Sequence, residues 1–284
     1  MGFFQTFWTW LNGQLASYIG ANTVKVASAL EPAIVTFGIV YVMVWGYLQL
    51  TGRIEEPFVT GLKRLITLAV VLGVALHLWL YNSVIVDTFY KAPTQLAATV
   101  VGAADPVMTI DAIWNSGGAV AGYLFSNGGV VSDYGYYVAG MVVWFLVGLL
   151  CVYTMFLIAL SSIALSVLLA LGPLFFAALF FDGTKRLFDS WIAQLTNYAL
   201  ITILTVMVAT LLLQIVASYA SQTAARGSGV ATVDSLNMVL VAVLVFLVMR
   251  QVMPIASGLA SGVSLNSFGT VSRLVLWSVR LGRA

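Results

Sequence analysis

Charge is what this sequence has least of. Only 8% of its 284 residues are Asp, Glu, Lys or Arg, against about 25% in a soluble domain. Twelve basic and ten acidic side chains cannot clothe a water-facing surface of this size, so a soluble enzyme is excluded. The net charge of +2 gives no bulk attraction to nucleic acid. Cysteine is almost absent as well. Cys151 stands alone in an apolar run, which rules out a disulfide within the chain and reads as a small core residue. One histidine and one cysteine give no zinc cluster. There is no P-loop, no Gly-x-Ser-x-Gly elbow and no pair of catalytic carboxylates, so no enzymatic activity and no cofactor is expected. A basic segment leading into a short apolar one is also missing from the N-terminus, so no cleavable signal peptide is expected.

What is present in quantity is hydrophobic residues, 61% of the chain, with a mean hydropathy of +1.03. A bilayer core needs about 20 apolar residues in a helix. Charge-free runs place spans at 33–51, 65–86, within the 48 uncharged residues 134–181, at 194–219 and at 236–255. The 48-residue run is too long for one straight span, at roughly 72 Å. It is either two tightly joined spans, or one long span and a second segment bent at Gly172-Pro173, where proline removes a helix hydrogen bond. Basic residues decide between models. Five spans with the N-terminus outside put Arg53, Lys63, Arg64, Lys185, Arg186, Arg250, Arg273, Arg280 and Arg283 in the cytoplasm, and leave Lys25, Lys91 and Arg226 outside. Six spans give a weaker split and place the acidic segment 87–135 inside, so five is preferred and six stays open.

The expected fold is therefore all-α: a polytopic helical membrane protein of about five transmembrane helices, with interfacial helices and one extended periplasmic segment. Residues 1–32 form a periplasmic amphipathic region, in which Phe3, Phe4, Phe7, Trp8, Leu11 and Leu15 recur at helical spacing. Residues 33–86 hold spans one and two around a basic cytoplasmic loop, 52–64. The periplasmic region 87–133 carries aromatic residues and four acids, and reads as short helices on or near the membrane. Residues 134–257 hold the remaining spans, with a cytoplasmic loop at 182–193 and a periplasmic loop at 220–235. Residues 258–284 form a basic cytoplasmic tail whose Arg273, Trp277 and Arg280 suit anionic lipid.

Polar residues inside spans are the usual pointer to transport. His77 is the candidate intramembrane polar site, and a neutral histidine bonded to a neighbouring helix is the plainer reading. Ion-coupled carriers bury acids or arginine, and neither these nor an inverted repeat is evident. In the periplasmic region Asp105, Asp111 and Trp114 are candidate substrate-facing residues.

The most informative stretch is 172–200, GPLFFAALFFDGTKRLFDSWIAQLTNYAL. A helix opens at Gly-Pro, a short charged loop follows, then Phe-x-x-Trp and a new span. Asp182, Lys185, Arg186 and Asp189 are spaced to pair on one solvated face, and Trp191 is expected at the water–lipid boundary. The stretch resembles the TrbL-like polytopic inner-membrane subunit of type IV secretion and conjugation systems. Pro173, Lys185 with Arg186, Phe188 and Trp191 occupy the matching positions.

That resemblance implies a channel or scaffold subunit of the bacterial inner membrane, N-terminus periplasmic and C-terminus cytoplasmic. It would help move DNA–protein or protein substrates and support pilus assembly. Its implied partners are cytoplasmic ATPases, pilus and periplasmic components, membrane lipid, a transient DNA–protein substrate, and further copies arranged as a ring. The motif residues are the candidates for docking the ATPases. A small-molecule transporter and a purely structural assembly factor are the alternatives.

Overall fold

The computed structural model describes residues 2–52, 78–102, 107–127, 134–180, 183–226 and 232–264, with the single positions 66, 69 and 73. Every regular element among them is helical. Helix α1 spans Phe3–Leu50, α2 Leu78–Tyr81, a π-helix Asn82–Lys91, and α3 Ala92–Val101. Then come α4 (Met108–Asn127), α5 (Tyr134–Ala170), α6 (Gly172–Ala177), a 3-10 turn (Ala178–Phe180), α7 (Lys185–Arg226), α8 (Thr232–Arg250) and α9 (Val252–Ser264).

Four helical stretches among the described residues are long and apolar enough to cross a membrane: α1, α5, Lys185–Leu212 of α7, and Val239–Ala260 across α8 and α9. The chain is an all-α polytopic membrane protein. The expected second span, 65–86, lies mostly outside the described residues, as do His77, Asp105, Asp182 and the tail beyond 264.

Several boundaries differ from the sequence reading. The N-terminal region and the first span are one 48-residue helix, about 72 Å at 1.5 Å per residue. It runs through Pro32, where a boundary was expected. Pro32 removes the helical donor of the Ser28 carbonyl four residues back, yet the helix continues through it without a break. The helix stops at Gly52, whose φ of +65° is the left-handed conformation that ends helices at glycine. The uncharged run is resolved as one long helix, α5, broken at Leu171 before Gly172-Pro173. The charged segment 182–193 is helical from Lys185 onward, and the loop expected at 220–235 is helical up to Arg226 and again from Thr232.

The contacts divide the chain into two units. One comprises Met1–Gly13, Pro93–Ser162 and Ala199–Gly258. Here α4 and α5 form an antiparallel pair: Phe125 meets Tyr137 at 5.0 Å and Trp114 meets Trp144 at 5.6 Å between ring centroids. One helix end further on, the Cys151 thiol donates to the Ile110 carbonyl at 3.7 Å. α4 is thus the close partner of an apolar helix, where short surface helices were expected. The Ser161 and Thr202 hydroxyls bond across α5 and α7 at 2.8 Å, and Tyr153 packs on Phe246 of α8 at 5.2 Å.

The other unit comprises Gln14–Ala92, Ile163–Tyr198 and Leu259–Ala284. Its core gathers Ile19 and Ile34 of α1, Tyr81, Val86, Leu165 and Leu169 of α5, Phe176, and Phe188, Trp191 and Leu195 of α7.

Candidate functional site

Pro173 creates the problem around which this second core is organised. A helix leaves its last four carbonyls without intrahelical donors. The donor for the Leu169 carbonyl would be the backbone nitrogen of residue 173, and proline carries no hydrogen there. Two side chains from elsewhere supply hydrogens to the end of α5. The Tyr81 hydroxyl donates to the Leu169 carbonyl at 2.5 Å, and the Trp191 indole N–H donates to the Leu168 carbonyl at 2.9 Å. Gly172 is needed for the first of these. A Cβ at that position would overlap the Tyr81 hydroxyl.

Aromatic rings seal the junction. Phe175 stacks on Trp191 at 5.4 Å with 13° between planes, and Phe176 meets Trp191 edge-on at 5.7 Å. Phe176 also contacts Phe188 at 5.2 Å and Tyr81 at 6.1 Å. Such offset and edge-on pairs add about 0.5–1.5 kcal/mol each beyond burial.

Phe188 and Trp191 are therefore brought together in one buried cluster with Phe176, and Pro173 is buried in the short helix that carries Phe176. Trp191 is 1% exposed, which corrects the expectation of a tryptophan at the water–lipid boundary. Its N–H finds a partner as expected, but that partner is a helix carbonyl in the core. Lys185 and Arg186 lie apart from it, exposed in the first turn of α7. Thr184 precedes that helix; its carbonyl accepts from the Leu187 N–H at 2.9 Å and its hydroxyl donates to the Ala178 carbonyl at 2.6 Å.

Asp111 and Trp114, expected to face substrate, belong to the other unit. Asp111 is 8% exposed, and its carboxylate accepts from the backbone N–H groups of Phe4 at 3.2 Å and Gln5 at 3.0 Å. It serves as a long-range cap on α1, where the helix dipole favours a negative charge. In this structure its carboxylate is turned inward, onto the first turn of α1. Trp114 is half-buried against Trp144 and Gly148. No group of three or more His, Cys, Asp or Glu among the described residues is placed to hold a metal ion.

Sequence reasoning did not single out Tyr81, Phe175 or Phe176. The missing N–H of Pro173 shows that some donor is required near Leu169. Nothing in the chain order says that it comes from a residue 88 positions earlier.

Among curated proteins none matches this chain. The family model described as TrbL/VirB6 plasmid conjugal transfer protein matches residues 38–252, a stretch that includes the whole Gly172–Trp191 junction.

Proposed function

Since the chain belongs to the TrbL/VirB6 family of plasmid conjugal transfer proteins, a membrane component of type IV secretion, we propose that it is the inner-membrane scaffold of the transfer machine and one wall of its conduit. In this reading the N-terminus is periplasmic and the C-terminus cytoplasmic. It performs no chemistry of its own. Energy comes from cytoplasmic ATPases, and the cargo is a DNA–protein or protein substrate.

The observation that carries the reading is the exposed Lys185-Arg186 pair at the start of the helix whose Phe188 and Trp191 are buried in the junction. A basic pair at the start of a span, with its helix pinned by Trp191 and Phe188, has the fixed position that docking of an acidic protein surface requires. Exposed apolar side chains support association with lipid and with further copies. On α1 only 17% of the most apolar window is buried, and Phe37, Ile39, Met43 and Tyr47 all point outward. The four spans of the described residues, or the five expected from the sequence, are too few to enclose a macromolecule, so several copies would surround the path.

Charge reversal tests this directly. Lys185→Glu with Arg186→Glu should leave membrane insertion unchanged while conjugal transfer and co-purification of the ATPases are lost. Normal transfer by the doubly reversed protein would rule out the docking role. A chain that stays strictly monomeric within the purified machine would rule out the ring.

A further inference from the structure

The element that precedes the junction is a π-helix ten residues long, Asn82–Lys91. π-helical segments are rare, and most occur as single turns at functional positions. Here the wider winding continues to the end, where the Ala92 N–H still bonds five residues back, to the Asp87 carbonyl.

The winding decides which side chains reach α5. Tyr81, Ile85, Val86, Phe89 and Tyr90 all join the core of this unit, while Asn82, Ser83, Val84 and Thr88 are exposed. Two tyrosines clasp α5 one turn apart: Tyr81 on the Leu169 carbonyl at 2.5 Å, and Tyr90 through a side-chain hydrogen bond to Ser166. They are nine residues apart. Nine residues make about two full turns of an i→i+5 helix, so both rings face the same way. At 3.6 residues per turn they make about two and a half turns, which would set the two rings on opposite sides. An α-helical 82–91 can therefore keep Tyr81 or Tyr90 on α5, but not both.

We propose that Asn82–Lys91 is a two-register switch, π-wound when both tyrosines hold α5 and α-wound when Tyr90 lets go. With Tyr81 held, rewinding turns Tyr90 away by half a turn and brings Thr88, seven residues after Tyr81 and about two α-turns on, to the α5 side. The surface exchanged is small and polar on one side, since Thr88 replaces Tyr90. The backbone is satisfied equally in either register: Pro93 has no N–H, so one carbonyl lacks its donor in each, that of Thr88 in the π winding and that of Phe89 in the α winding. The extra bond from Tyr90 to Ser166 is what favours the π form. The register is a property of this chain alone; that its change belongs to the transfer cycle rests on the function proposed above.

Paired cysteines in the full-length protein, with Cys151→Ser to remove the native thiol, report the two registers in donor cells. A tyrosine that reaches a serine through its phenol holds the two backbones too far apart for a direct disulfide, so a short bis-methanethiosulfonate crosslinker bridges the thiols. It joins Tyr90→Cys to Ser166→Cys only in the π register, and Thr88→Cys to Ser166→Cys only in the α register. Each crosslink is read as protection of both thiols from a maleimide–polyethylene glycol tag. Both pairs should crosslink in cells engaged in transfer. The 90–166 crosslink should reduce transfer to background, and reductant, which cleaves it, should restore transfer. The proposal is overturned if the 90–166 pair never crosslinks, if the 88–166 pair never crosslinks, or if the locked protein transfers as well as the reduced one. Undiminished transfer after deletion of the whole gene would instead sink the proposed function, and the thiol protection would still report the register.

Discussion

The Tyr81 hydroxyl bonds the Leu169 carbonyl, the one backbone acceptor at the end of α5 whose helical donor Pro173 removes. The Trp191 indole does the same for the adjacent Leu168 carbonyl. The proline that breaks the long apolar run and the tryptophan that follows it are thus two parts of one arrangement. Pro173 takes away the helical donor of the Leu169 carbonyl, which Tyr81 replaces, and Trp191 bonds the neighbouring carbonyl of Leu168.

Removing either donor while keeping the ring isolates the hydrogen bond. Tyr81→Phe and Trp191→Phe should each cost about 1–3 kcal/mol, the usual penalty for a buried polar group left without a partner. Trp191→Ala should cost more, about 3–5 kcal/mol, because the stacking on Phe175 and Phe176 goes too. Unfolding in detergent, followed by loss of helical circular dichroism, measures all three. Equal stabilities for Trp191→Phe and the parent would show the indole bond to be dispensable.

Gly172→Ala should destabilise the junction, since the added methyl overlaps the Tyr81 ring and hydroxyl. The strain belongs to this pair, so Tyr81→Ala should be less damaging in the Gly172→Ala protein than in the parent. A double-mutant cycle on detergent stability gives the coupling. Strict additivity would mean that the two residues do not meet.

Asp111→Leu leaves the first-turn N–H groups of Phe4 and Gln5 without their acceptor. Amide exchange at the start of α1 should accelerate at least about tenfold, from a loss of about 1–3 kcal/mol. Asp111→Asn keeps an acceptor oxygen and should fall between that variant and the parent. Unchanged exchange in Asp111→Leu would remove the capping role.

The Ser161–Thr202 pair predicts a small coupling. Ser161→Ala or Thr202→Val alone leaves one buried hydroxyl short of a partner across the α5–α7 contact. The double variant removes both, so a double-mutant cycle on detergent stability should give a coupling of about 0.6 kcal/mol, the common size for helix–helix hydrogen bonds in membranes.

Much of this was legible in residue order. Runs without charge mark α1, α5, α7 and α8–α9 as apolar helices, because an ionised side chain in hydrocarbon is costly wherever it falls in a span. The Gly172-Pro173 break followed from covalent chemistry, and the resemblance of 172–200 pointed to the family that residues 38–252 match. The misreadings share one cause. Trp191, Asp111 and the α4 segment were assigned to surfaces from composition, as amphipathic, acidic or broken by glycine. Each is instead occupied by a partner distant in the chain: Leu168, the first turn of α1, and the flank of α5.

By itself, then, the sequence determined that the chain lives in a membrane, that its elements are helices, and that Pro173 leaves one helix hydrogen bond unmade. Those are consequences of local chemistry: apolar side chains, backbone hydrogen bonds with no water to replace them, and a proline without an N–H. Only the tertiary structure decided that Tyr81 and Trp191 donate to the end of α5, and that a π-winding aligns Tyr81 with Tyr90. Periodicity gives the face of a helix only once its winding is known, and the winding of 82–91 is set by what its two tyrosines grasp on α5.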